Sequence, residues 1–367
     1  MSDKLRCIEL FCGCGGMSLG LKNAGFSVEF AADLEASAVA TYNKNFERSA
    51  TQADVNKLTP QQLLSIVDVE RGELDLMSGG PPCQGFSKQR RGAHLLEDKR
   101  NFLIKDYVQL IDGVMPKAFI LENVAVFGQK RGQAYLEELS AALHDEYYLN
   151  PNFYNSADFG LAQTRERFIL VGIRRDIAGR FDAPKPSVKT WKTVKEAIGD
   201  LPPPPSDCSE HPNYPNHMTT RISEKNRLRF SFVPQGGGWK DIPWEHRLEC
   251  HKVTDPKAGG WPDVYGRLSW DKQCPTITGG FDSFTRGRYG HPEQNRALTP
   301  REAARLQGFP DWFVFAGNRH QVRHQIGNAV PPPLAQAIGE SIKTALAGGG
   351  TAQESVTTTA SQFSLAI

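Results

Sequence analysis

From residue 5 to about 175 the chain alternates short apolar strands with amphipathic helical stretches, and this alternation restricts the fold more than any other feature. RCIELF reads as a strand that runs into the turn CGCGG, MSLGLKNAGF as a helix closed by Gly25, and SVEFAAD as a second strand. ELDLMS, KAFILENV and RFILVGIRR continue the series, with NFLIKDYVQLIDGV and GQAYLEELSAALHDE as helices between them. Strand followed by helix, repeated, implies right-handed crossovers and a largely parallel sheet. Such sheets bind their ligands in the crevice beyond the carboxyl ends of the strands.

Near Ala183 the pattern breaks. APKPSV, LPPPP and HPNYP, followed by Gly236 to Gly238, make residues 186 to about 295 rich in loops, with no strand assignable from sequence. Regularity returns at LTPREAARLQGF, a helix with Thr299 as N-cap and Pro300 at its first position. QIGNAVPPPLAQAIGESIKTAL reads as a loop and then a long amphipathic helix. The expected organisation is a main unit of residues 1–185 plus 318–347 and a second unit with hinge of residues 186–317. Residues 348–367 are expected to be a disordered tail, having too little apolar surface to order themselves.

The 367 residues suffice for one large core and a smaller one, and a net charge of +2 neither demands nor excludes a polyanionic partner. The seven cysteines are an odd number, and the start, MSDKLRCIEL, is too polar for a secretory leader. A reduced cytoplasmic protein with free thiols is expected. No apolar run approaches the roughly 18–20 residues that span a bilayer, so no membrane is expected. Cys7, Cys12 and Cys14 cluster without a second Cys or His pair at zinc spacing, so no metal is expected.

The segment SGGPPCQGFS, Ser78 to Ser87, follows the apolar strand Leu74 to Met77. Pro81 and Pro82 fix φ and cannot continue a sheet ladder, so Cys83 sits on a stiff turn at a strand end. A thiol presented there is a candidate nucleophile. On this segment alone, a small buried hydrophobe remains an equal alternative.

The turn Phe11-Cys12-Gly13-Cys14-Gly15-Gly16 lets a ligand approach the backbone at a helix N-terminus. Position 18 is Ser18 rather than a third glycine, which argues against a bound pyrophosphate. Asp33 follows the second strand, where a carboxylate can accept both ribose hydroxyls, and Asp54 stands where a third strand would end, within reach of an adenine amine. An adenosine pocket without a phosphate cradle suits S-adenosylmethionine better than NAD. A tight turn with no ligand, flanked by merely solvated carboxylates, is the bland alternative.

Glu122 closes the buried strand KAFILENV, a place where carboxylates are rarely left without a partner; burial would raise its pKa and let it donate a proton. Arg165 and Arg167, in QTRER, alternate onto one face before the next strand. A surface ion pair with Glu166 is their ordinary alternative.

These segments, in this order, resemble bacterial DNA (cytosine-5)-methyltransferases: FCGCGG, Asp33, Asp54, GGPPCQGFS, LENV, QTRER, RALTPREAARLQGFP and QIGNAVPP. The resemblance covers nearly all of residues 5–346 apart from the middle. It implies an α/β, Rossmann-like methyltransferase sheet with a second, smaller, loop-rich target-recognition domain. It further implies methyl transfer from S-adenosylmethionine to carbon 5 of cytosine in a specific duplex DNA sequence, through a covalent cysteine–cytosine adduct with the base flipped out. By motif, Phe11, Gly13, Cys14, Gly15, Gly16, Leu34 and Val55 line the cofactor, Asp33 takes the ribose and Asp54 the adenine, and Leu103 and Asn328 complete the pocket. Cys83 attacks carbon 6, Glu122 serves ring nitrogen 3 and the exocyclic amine, and Arg165, with Arg167 beside it, reaches the base carbonyl. Leu34 stands where some relatives carry an aromatic, and Gly85 follows Gln84 in the nucleophile loop.

For DNA, the expected contacts are Gln84, Ser87, Arg90 and Arg91 in a basic loop closing over the duplex, and Arg286 and Arg288 among Phe281, Phe284 and Tyr289. Arg221, Lys225 and Arg229 at helical spacing are phosphate candidates or simply a solvated face. The expected partner is double-stranded DNA, acted on by a monomer, cytoplasmic and nucleoid-associated when bound, with a separate cognate restriction endonuclease if the chain belongs to a restriction-modification system. The competing readings are an RNA methyltransferase on the same scaffold, a DNA-binding relative without catalysis and, more distantly, an NAD-dependent dehydrogenase.

Overall fold

The computed structural model describes residues 4–82, 102–129, 132–253 and 263–350. They divide into two compact units, the described residues of 4–155 with Glu166–Pro186 and 332–350, and Ser156–Arg165 with the described residues of 187–331.

Apolar strand and amphipathic helix alternate through the first unit as β1 (Leu5–Leu10), α1 (Gly16–Ala24), β2 (Phe26–Asp33), α2 (Ala36–Asn45), β3 (Thr51–Gln52), α3 (Pro60–Val67) and β4 (Leu76–Gly79). There follow α4 (Phe102–Val114), β5 (Ala118–Val124), α5 (Gln133–Leu143) and β6 (Tyr147–Asn155). The short β7 (Gln163–Thr164) belongs to the second unit, and β8 (Glu166–Arg174) returns to the first. The sheet order is β3-β2-β1-β4-β5-β8-β6, with β8 antiparallel to both neighbours and the other pairings parallel. Strand order reverses between β1 and β4, so the crevice at their carboxyl ends is the natural ligand site.

Ile8, Leu10, Met77, Phe119, Leu121 and Leu170 join one sealed cluster along the strands. Each such side chain is worth roughly 1.5–3 kcal/mol on burial. Helix α1 ends where Gly25 takes φ 101° and its N–H meets the carbonyls of Leu21 and Lys22. Tyr107 of α4 bridges the sheet from beneath, its hydroxyl donating to the carbonyls of Met77 (3.2 Å) and Ile120 (2.8 Å).

The second unit has little regular structure: α6 (Val194–Ile198), α7 (Glu224–Ser231), α8 (Glu249–Val253), β9 (Gly266–Arg267), β10 (Cys274–Pro275), β11 (Arg288–Gly290), α9 (Pro300–Leu306) and α10 (Arg319–Asn328). Among the described residues its strands form the pairs β10–β7 and β11–β9. Its core gathers Phe230, Val233, Trp239, Ile242, Tyr265 and Phe284. The final helix, α11 (Pro332–Leu346), belongs to the first unit and packs on α1, where Gly20 sits against the Pro332 carbonyl too closely for any Cβ.

Two sequence boundaries move. Residues 318–331, placed with the main unit from sequence, belong to the second, as do residues 156–165. QIGN, read as a loop, is the last turn of α10, a helix started by the reciprocal cap of Asn318 and Gln321. Only from Pro332 does the chain rejoin the first unit.

Candidate active site

The glycine-rich turn joins β1 to α1 in left-handed backbone, with φ 57° at Phe11, 54° at Gly13 and 95° at Gly15. At Gly15 a Cβ would collide with the Phe46 ring, so glycine is required there twice over. At Gly13 nothing lies within 4 Å of the place a Cβ would take. The turn is therefore packed behind Gly15 and open at Gly13. Asp33, at the end of β2, accepts from the Gly13 N–H (Oδ2, 2.8 Å) and the Glu35 N–H (Oδ1, 2.9 Å). Burial raises its pKa, and those two N–H groups oppose the rise. An ionised carboxylate has about four acceptor positions, so a fixed Asp33 retains capacity for a diol. An open turn beside an oriented carboxylate fits the adenosine and methionine parts of S-adenosylmethionine.

The other pocket residues divide. Asp54 caps the short helical turn Val55–Lys57, accepting from the Asn56 N–H at 3.3 Å. The Val55 side chain is core rather than lining. Leu34 is 62% exposed beside Asp33, an apolar surface available to a flat ring. Gly16 opens α1, and the Cys14 thiol is buried and pushed up to about 12 by desolvation, so it is inert. Leu103 stands half-buried on α4, and Asn328 ends α10 in the second unit.

At the ends of β5 and β8, Arg167 Nε lies 2.9 Å from Glu122 Oε1, with both side chains about nine-tenths buried. Register pairs Glu122 with Ile169 and Val124 with Arg167, which brings the two charged side chains together across the strands. Burial lowers the Arg167 pKa and the Glu122 charge opposes that. A Cβ on Gly80 would meet Glu122 Oε2 at 3.0 Å, so the chain leaving β4 passes directly beside this carboxylate. Asn123 Nδ2 then donates to the Pro81 carbonyl at 3.1 Å, tying the ProPro segment to β5. Asn123 was visible inside the LENV motif but had no assigned task; an amide next to a functional carboxylate at a strand end was the available signal. Cys83, Gln84, Ser87, Arg90 and Arg91 lie outside the described residues.

Arg165 does not fill the place expected of it. It is fully buried in the second unit and donates to the main-chain carbonyls of Ile277 (2.8 Å), Gly327 (3.0 Å) and Ala329 (3.0 Å). Alternation had grouped it with Arg167, but the chain passes from one unit to the other between Arg165 and Glu166, and the residue meeting Glu122 is Arg167. Gln163 is committed to the same structural task, bonding the Leu306 carbonyl, Gln307 and the Ile277 N–H.

Of the DNA-reading candidates, Arg286 is exposed, whereas Arg288 is spent on Asp263 (3.0 Å) and the carbonyls of Gly236 and Gly237 (2.7 Å each). Phe281, Phe284 and Tyr289 are buried core, unable to stack on a base. Arg229 turns inward to the His246 carbonyl at 2.7 Å, leaving Arg221 and Lys225 exposed.

The family model described as C-5 cytosine-specific DNA methylase matches residues 5–344. The chain belongs to that family. It is an enzyme that methylates DNA cytosine at carbon 5, with S-adenosylmethionine as the methyl donor. It is 37% identical over 340 residues to the Type II methyltransferase M1.HphI of Haemophilus parahaemolyticus, spanning 91% of this chain and 86% of that one. It is 33% identical to M.NgoFVII of Neisseria gonorrhoeae, spanning 93% and 87%. Among solved structures, a prophage-encoded methyltransferase from E. coli superposes with TM-score 0.71 at 26% identity, covering 94% of this chain and 99% of that chain. No helix among the described residues is long and apolar enough to cross a membrane.

Proposed function

We propose that the chain flips a cytosine out of a specific duplex sequence and adds the Cys83 thiolate to carbon 6. The neighbouring Glu122–Arg167 pair would hold the ring. The observation that carries this is the 2.9 Å ion pair at the ends of β5 and β8, against which the chain runs at Gly80 on its way to Cys83. Adding sulfur to carbon 6 uses the electron pair of the 5,6 double bond and makes carbon 5 a nucleophile; Glu122 supports this step by supplying or sharing a proton at ring nitrogen 3. Arg167 keeps the carboxyl oriented and offers its remaining N–H groups to the base carbonyl, the role sequence had given to Arg165. Bound S-adenosylmethionine supplies the electrophilic methyl group. After transfer, loss of the carbon 5 proton expels the thiolate and restores the double bond.

The cofactor would rest on the Phe11–Gly16 turn with Asp33 on its ribose and Asp54 at its adenine. Exposed Arg286 of the second unit is the proposed reader of a base edge, and Gln84, Ser87, Arg90 and Arg91 the proposed contacts from the nucleophile loop. The Type II names of the relatives support a role in a restriction-modification system. A separate endonuclease beside it, and a monomer working in the cytoplasm at the nucleoid, belong to the same proposal.

A duplex carrying 5-fluorocytosine blocks the final proton loss, so with S-adenosylmethionine the wild-type protein should accumulate a denaturant-stable adduct. Cys83→Ala should form none. An adduct that persists in that variant, or one formed on transfer RNA but not on duplex DNA, overturns the proposal.

A further inference from the structure

Glu9 is a buried carboxyl beside the cofactor turn to which the methyl-transfer chemistry gives no task. It is 2% exposed, lies in β1 two residues before Phe11, and its strand neighbours Cys7, Ile8 and Leu10 are fully buried apolar side chains. A leucine there would continue the apolar run of this strand, so the sheet alone does not call for a carboxyl.

Its contacts point elsewhere. The Ser18 hydroxyl, in the first turn of α1, donates to Glu9 Oε2, and Ser18 Oγ lies 2.9 Å from the Tyr42 hydroxyl of α2. Burial is the chief influence on the Glu9 carboxyl and pushes it up to about 8; the Ser18 hydroxyl and N–H oppose this, and the Asp33 charge adds to it. At neutral pH the acid is protonated and enters the network without an uncompensated charge. The Tyr42 ring stacks on Phe46 at 4.3 Å, and those two rings form the wall behind Gly15. The turn is thus gripped twice, by Asp33 at Gly13 and by the Glu9–Ser18–Tyr42 chain through α1.

We propose that Glu9 is a positioning residue for cofactor binding: through Ser18 and Tyr42 it locks the N-terminus of α1 against β1 and α2, so that the turn is set before S-adenosylmethionine arrives. This rests on assigning the Phe11–Gly16 turn to the cofactor. Preorganisation of this kind appears in affinity, because the free turn no longer has to be ordered on binding.

The test is calorimetric titration of the full-length enzyme with S-adenosylmethionine, together with steady-state kinetics. Glu9→Leu should weaken Kd and raise KM for S-adenosylmethionine by about tenfold, about 1.4 kcal/mol, while kcat at saturation and duplex affinity stay within about twofold. Its thermal midpoint is read alongside, because losing the acceptor for the Ser18 hydroxyl carries a stability cost of its own. Glu9→Gln keeps an acceptor for Ser18 and should restore affinity to within about threefold. Wild-type affinity in Glu9→Leu, or a loss in Glu9→Gln as large as that in Glu9→Leu, overturns the proposal. Should Glu9→Leu fail to fold, Ser18→Ala decides: unchanged affinity overturns it and a loss supports it. Asp33→Ala binding S-adenosylmethionine normally would instead sink the turn assignment on which the proposal stands.

Discussion

The two units solve one physical problem in opposite ways. Every buried carbonyl needs a donor. In the first unit the main donors are neighbouring strands: seven strands pair edge to edge around a hydrocarbon core, with side chains such as Tyr107 and Arg174 adding bonds to a few carbonyls. In the second unit the strands are two or three residues long, and buried arginines stand in for the missing ladders. Arg165 bonds three carbonyls; Arg267 bonds those of Phe230, Val233, His291 and Gln294; Arg301 bonds those of Pro215, Pro310 and Phe313. A guanidinium carries five N–H groups in a rigid fork and can close several loops at one point. Burial charges for this: it lowers Arg267 to about 10 and depresses Arg301 as well.

The sharpest way to break this contrast is to make the same substitution at the two arginines on either side of the unit boundary. Arg167→Lys removes the fork facing Glu122 and should cut kcat by about 100-fold while leaving stability nearly unchanged. Arg165→Lys replaces the two-nitrogen fork by a single ammonium that cannot reach the carbonyls of Ile277, Gly327 and Ala329 together, and should cost the second unit about 2–4 kcal/mol in denaturant unfolding. If Arg165→Lys abolishes turnover with stability intact, the division between structural and chemical arginine fails.

Much of the first unit was legible because period and punctuation agree there. RCIELF, Gly25 and KAFILENV mark strand, helix end and strand by residues whose local preference matches their final place. Strand β6 was not read: Pro151 and the polar residues of YYLNPNFYN obscure the alternation, and a strand at the sheet edge tolerates them. Arg165 and Arg167 looked equivalent because alternation sees one face and not a unit boundary. Phe281, Phe284 and Tyr289 looked like a stacking surface because aromatic residues in a loop-rich segment carry no mark of burial. The capping pair Thr299 and Glu302 was half visible; Thr193 with Glu196 and Asn318 with Gln321 carry the same spacing and were the missed signals for α6 and α10.

Acid should change the stability of the two units in opposite directions. Glu9 is raised by burial to about 8, so in the pH interval from about 4.5 to 8 the unfolded chain has lost that proton and the folded chain keeps it. The first unit therefore gains up to about 1.4 kcal/mol per pH unit as pH falls through that interval. In the second unit burial holds His291 neutral, down at about 4, so stability is lost as pH falls from about 6.5 to 4. Burial would raise Glu302, but the charge and hydrogen bonds of Arg296 outweigh it and keep it at about 2, so a further loss follows between about 4.5 and 2. Hydrogen exchange at pH 5 and pH 8, corrected for intrinsic rates, should show protection rising in β1 and α1 and falling around α9. Glu9→Gln should remove the rise alone. A parallel fall in both units would contradict the sign assigned to Glu9.

The smallest effect concerns reading. Arg286 is exposed in the second unit while Arg288, two residues on, has its guanidinium held by Asp263, Gly236 and Gly237. If exposed side chains read and buried ones build, Arg286→Ala should lower the preference for cognate over random duplex by about 1–3 kcal/mol, with affinity for random duplex little changed. Arg288→Ala should instead act through folding and weaken both duplexes together as the second unit loosens. Competition titrations at fixed salt separate the cases, because a phosphate contact lowers both affinities and flattens the salt dependence by about one ion. Equal losses on the two duplexes from Arg286→Ala would make that arginine a backbone contact and move the reading elsewhere in the second unit.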